Sequence, residues 1–139
     1  MHFLRAAMIL PCSLLVSCQT GASADDQSLR TKDSPTTAIT KIARTAQTCW
    51  FKSKDPAFKN FRMSNEVNSY AGRPRVLLVK RTDPNGLPLL VIQAEKSGSG
   101  QSGTFTNIQT FGPLLQTMNG KRIVEDVKRW STGNKSCKV

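Results

Sequence analysis

Histidine is nearly missing from this chain of 139 residues: the only one, His2, stands at the extreme N-terminus. Catalysis by a Ser–His or Cys–His pair therefore has no base downstream of that position. Cys-x-x-Cys spacing is also missing, which removes the common redox motif and, with no second histidine, leaves a poor zinc ligand set. Acidic residues are scarce, nine against twenty Lys plus Arg, so carboxylate-pair chemistry has few candidates. Aromatic residues make up only 6% of the chain, too few to interleave with basic residues as a base-stacking platform. The order of elements has no strand–helix–strand alternation, which argues against a parallel doubly wound sheet. There is no internal repeat. The length allows one domain and no separate cofactor and substrate domains. No cofactor and no metal are expected.

What the chain does have is charge and enough apolar residues for a core. The hydrophobic fraction is 38% and the formal net charge is +11, with a sequence pI near 10.0. Such a balance points to anionic partners: a membrane surface, an acidic glycan or nucleic acid. Residues 34–139 carry 17 basic and 6 acidic residues, so the whole excess lies in that part.

The N-terminus reads as an address. Arg5 supplies a basic start, and Ala6 to Ser17 (AAMILPCSLLVS) is an uncharged, mostly apolar run of twelve residues. A transmembrane helix needs about 20 such residues, whereas a signal-peptide core needs roughly 7–15. Leu15-Val16-Ser17-Cys18 follows, and then a polar stretch from Gln19.

Those four residues resemble the lipobox of small Gram-negative outer-membrane lipoproteins. The resemblance covers residues 1–18 alone and implies a signal peptide over residues 1–17, cut before Cys18. Cys18 would carry diacylglycerol on its sulfur and an acyl group on its new amine. Gln19, in place of the Asp that retains inner-membrane lipoproteins, implies transfer to the outer membrane. A domain on the periplasmic side fits better than one displayed at the surface. The alternative is a secreted periplasmic protein without lipid, cleaved near Ala22-Ser23-Ala24. With Cys12 lost in the signal and Cys18 acylated, Cys49 and Cys137 remain. In an oxidising compartment they pair, closing a loop of 88 residues and stabilising the fold by on the order of 4 kcal/mol.

Residues 18–33 read as the lipidated Cys and a flexible tether, and 34–139 as a single α+β domain. A helix opens at Ser34-Pro35, with Asp33 or Ser34 as its N-cap, and buries Ile39, Ile42, Ala43, Ala46, Cys49 and Trp50. Phe61 to Val67 alternates as a strand. Arg75 to Arg81 and Leu87 to Glu95 flank Thr82-Asp83-Pro84-Asn85-Gly86, a turn signal that makes the pair a β-hairpin. Thr104 to Phe111 is a further strand. A second helix opens at Asn119 or Gly120 and carries Ile123, Val124, Val127 and Trp130 on one face. The order α-β-β-β-β-α predicts a four-stranded antiparallel sheet with two helices packed on one face.

Chemistry is harder to find. Asp55 and Asp83 precede proline, a turn signature, and Glu125 and Asp126 sit among helix cations. Glu66 and Glu95 are the only pair that suits a carboxylate-dependent envelope hydrolase. The basic clusters carry the remaining signal: Arg73 and Arg75, Lys80 and Arg81, Lys121 and Arg122, Lys128 and Arg129. They point to a non-enzymatic accessory or binding subunit, held at the membrane through lipid on Cys18. Its expected partner is an envelope protein or an anionic glycan such as lipopolysaccharide. Nucleic acid is excluded by the exported address.

Overall fold

A computed structural model describes residues 29–68, 70, 73–98 and 103–138. The chain is α+β, as expected, but its antiparallel sheet has five strands and not four. The strands are β1 (Leu29–Thr31), β2 (Phe61–Glu66), β3 (Arg75–Lys80), β4 (Leu90–Ser97) and β5 (Phe105–Phe111), in the spatial order β1-β5-β4-β3-β2. The additional strand, β1, falls inside the stretch read as tether. It aligns Leu29 with Ile108 and Thr31 with Thr106, so it covers part of an edge of β5 that would otherwise present unpaired backbone. Leu29, the only large apolar residue between Gln19 and Asp33, packs against the core. Arg30 lies over the Phe105 ring, 4.4 Å from its centroid. Three residues give no period to read, and the expectation that residues 18–33 are all tether is corrected at Leu29–Thr31, which belong to the sheet. Leu15 to Cys18, the residues that resemble a lipobox, lie outside the described residues.

The first helix, α1 (Pro35–Ala46), starts where the capping residues predict. Ser34 Oγ accepts the Thr37 amide at 3.2 Å, and Pro35 occupies the first turn, where its missing N–H costs nothing. The helix continues as a wider π-turn over Gln47–Lys52, which turns both Cys49 and Trp50 inward. Trp50 then stacks on Phe58, with centroids 4.4 Å apart, and tilts against Trp130 at 4.9 Å. The second helix, α2 (Gly120–Ser131), buries Ile123, Val127 and Trp130 as its apolar spacing requires.

Both helices share one core with Val76 and Leu78 of β3, Leu90, Ile92 and Ala94 of β4, and Ile108 of β5. These positions alternate along their strands and point to one face of the sheet. The other face carries Arg75, Gln93, Glu95 and Gln109 around Leu77, Val79 and Val91, which are themselves buried. The β3–β4 hairpin forms as predicted, with Leu78 opposite Leu90 and Asp83 bridging back to Lys80 in the turn. Cys49 and Cys137 are joined, their Cα atoms 5.2 Å apart. The bond ties the π-turn to the segment after α2, whose Ser136 carbonyl also accepts from Arg129 Nε and Trp130 Nε1.

Candidate binding surface

Five of the eight basic residues singled out by their clustering are engaged within the fold. Arg73 pairs with Glu95 at 2.9 Å, and Arg75 pairs with Glu66 across the β2–β3 ladder. Arg81 donates to the carbonyls of Lys59 and Phe61, at 3.1 and 3.3 Å. Arg122 and Arg129 point into the molecule toward Asp55 and Asp126. Lys80, Lys121 and Lys128 make no ion pair among the described residues and are exposed.

The arginines of α2 surround a buried node that the sequence reading missed. Asp126 is 1% exposed and accepts from Trp50 Nε1 at 2.8 Å, across 76 residues of sequence. Arg129 donates to its other carboxylate oxygen, and Arg122 Nε stands 3.8 Å away. Arg122 reaches Asp55 as well, which also accepts the Ala57 amide at 2.9 Å. Burial pushes the Asp55 carboxyl up. The Arg122 hydrogen bond, the Ala57 amide and the guanidinium charge outweigh it and hold the group below its ordinary value of 3.8. The node is structural: it fixes the π-turn after α1, and the Asp55 turn that follows, against α2. The signal for it was present in the spacing, because Asp126 lies three residues after Ile123 and four before Trp130.

A groove of about 660 Å³ runs between the end of β5 and α2. Phe111 closes β5 and is 45% exposed. Gly112 follows at φ 125°, and a Cβ there would stand 2.6 Å from the Leu89 carbonyl oxygen. Only glycine makes that bend, which drops the chain into a 3-10 turn over Pro113–Gln116. Gly120 then opens α2 beneath this turn, because a Cβ there would lie 1.9 Å from the Leu115 carbonyl oxygen. The close approach leaves Lys121, Val124 and Lys128 along one flank of the groove, with Glu125 beside them. Leu115 and Val124 are apolar lining residues and Gln116 and Thr117 neutral polar ones, while Phe111, opposite Val91, reaches the groove at its rim and shares the sheet face that lies away from the helices. Amide and hydroxyl groups and two unpaired ammonium groups suit a ligand with both hydroxyls and negative charge.

Glu66 and Glu95 stand apart in the sheet. Glu66 lies opposite Arg75, which lies opposite Gln93, so Glu95 is two strands and two residues away. At sheet spacings that is about 12 Å between Cα atoms. Each carboxylate holds its own arginine. Among the described residues no three or more His, Cys, Asp and Glu side chains group as a metal site, and no helix is long and apolar enough to cross a membrane.

No protein-family model, no curated protein and no solved structure matches this chain.

Proposed function

We propose that the chain is an outer-membrane lipoprotein, anchored through Cys18, whose domain is a non-enzymatic module binding an acidic envelope glycan. The observation that carries this reading is the groove beside α2, where Lys121 and Lys128 stand unpaired next to Phe111, Gln116 and Thr117. The ammonium groups answer the carboxylate or phosphate substituents of such a glycan, and Gln116 and Thr117 answer its hydroxyls. Glu125 accepts from sugar hydroxyls in the same groove. The carboxylate hydrolase reading loses support, because Glu66 and Glu95 are separated and each is held by arginine.

Two measurements bear on it. Lys121→Gln with Lys128→Gln should weaken binding to lipopolysaccharide at least tenfold in low salt, with the unfolding midpoint unchanged. Arg73→Ala with Arg75→Ala should leave binding within twofold, since those arginines serve the sheet. Equal losses from both pairs would show that net charge, not the groove, does the binding. For the anchor, Cys18→Ser should move the protein from the membrane pellet to the soluble fraction. A variant still sedimenting after a high-salt wash would remove the anchor.

A further inference from the structure

The register of β1 fixes the end of the domain from which the preceding chain departs. β1 is antiparallel to β5, with Thr31 opposite Thr106 and Leu29 opposite Ile108, so its N-terminal end points toward Phe111. Cys18 precedes Leu29 by 11 residues, a reach of at most roughly 40 Å. On the reading that Cys18 is acylated, the Phe111 end of the sheet is the end from which the chain leaves for the bilayer, with the shortest path to it.

That same end differs from the opposite one in its surface. β2 begins there, β3 ends there at Lys80, and β4 starts beside Phe111. The β3–β4 turn carries Leu87, which is 88% exposed, and Met118, fully exposed, lies just before α2. The Leu114 amide donates to the Leu89 carbonyl, which joins the chain after β5 to the end of this turn. The same end carries exposed Lys59, Lys80, Arg81 and Lys121, against two exposed acids, Asp83 and Glu125. A lone exposed Leu or Met needs no explanation. Two of them at loop tips, at an end where exposed cations outnumber exposed acids four to two and from which the preceding chain departs, have one occupant that matches in both charge and polarity. We propose that this end of the domain seats on an anionic bilayer surface, with Leu87 and Met118 entering the headgroup boundary and the lysines facing lipid phosphates. Each basic residue near such a surface strengthens binding about fivefold, and apolar tips add contact that salt does not screen.

The test uses the lipidated protein reconstituted into phosphatidylcholine vesicles containing phosphatidylglycerol. Acylation of Cys18 and the Cys49–Cys137 bond leave a single free thiol in Leu87→Cys, Met118→Cys or Tyr70→Cys variants, each labelled with an environment-sensitive fluorophore. Tyr70 is fully exposed and lies between β2 and β3, at the far end of the sheet. Labels at 87 and 118 should shift to the blue and be quenched by brominated lipid, and the label at 70 should do neither. Water-like emission at all three positions overturns the seat. The mass of the N-terminal peptide tests the anchor separately. If Cys18 carries no lipid, the same labels on the Cys18→Ser chain, added to these vesicles, decide the question. Quenching at 87 and 118 that needs phosphatidylglycerol keeps the seat without the anchor, and none overturns both.

Discussion

Replacing Asp126 tests the buried node most severely. Its carboxylate is 1% exposed and holds Trp50 Nε1 at 2.8 Å, with the guanidinium of Arg129 bonded to it and that of Arg122 alongside. Asp126→Ala removes one partner from a buried ion pair, a change that costs about 3–5 kcal/mol, and also strands a buried indole N–H. Arg122 and Arg129 keep 25% and 12% of their side-chain surface, so water recovers part of that loss and the expected figure is about 3 kcal/mol. Asp126→Asn keeps an acceptor for Trp50 and loses only the charge, so it should cost less, about 2 kcal/mol. Trp50→Phe measured with Asp126→Ala closes a double-mutant cycle and isolates the indole bond. Urea unfolding followed by near-ultraviolet circular dichroism reads the parent, the three single variants and the double variant. With a slope of about 1.5 kcal/mol/M, the alanine variant should lose about 2 M in midpoint. A loss below 0.5 M, or equal losses for Ala and Asn, would refute the view that this carboxylate locks the π-turn after α1 to α2.

Two further expectations follow from the same core. Cys137→Ser opens a loop of 88 residues and should lower stability by on the order of 4 kcal/mol, measured by urea unfolding of the oxidised parent beside the variant. A change under 1 kcal/mol would mean that the bond constrains little. Asp55 has its carboxyl held below 3.8, so its stabilising contribution is complete above that pH and is lost as pH falls through the lower folded value. The stability gap between the parent and Asp55→Asn should therefore be constant from pH 7 to about 4 and narrow below. A gap that persists into stronger acid would contradict the assignment.

Much of the fold is legible in the residues, and the reasons for the rest are local. Apolar blocks on both sides of Asp83-Pro84-Asn85-Gly86 announce the hairpin, and the α2 stripe of Ile123, Val127 and Trp130 announces its buried face. β1 is silent because it is three residues long and its pairing depends on an edge of β5 that lies some 75 residues away. The basic pairs mislead for a geometric reason. Neighbours on a helix point about 100° apart, so Lys121 and Lys128 face the groove flank while Arg122 and Arg129 turn in to Asp55 and Asp126. Charge adjacency in sequence is not adjacency on a surface. Phe111 reads as the end of a strand, and the bend at Gly112 that follows it, which carries the chain toward the groove beside α2, has no sequence period to announce it.

The central claim is that the groove beside α2 contacts an acidic envelope glycan. A photoreactive residue at position 128, with a second at position 73 as its control, can be cross-linked in intact cells and its adducts identified by mass. Glycan or lipopolysaccharide adducts from position 128, with none above background from position 73, are the expected result. A single protein adduct from position 128, or equal labelling from both positions, would contradict it.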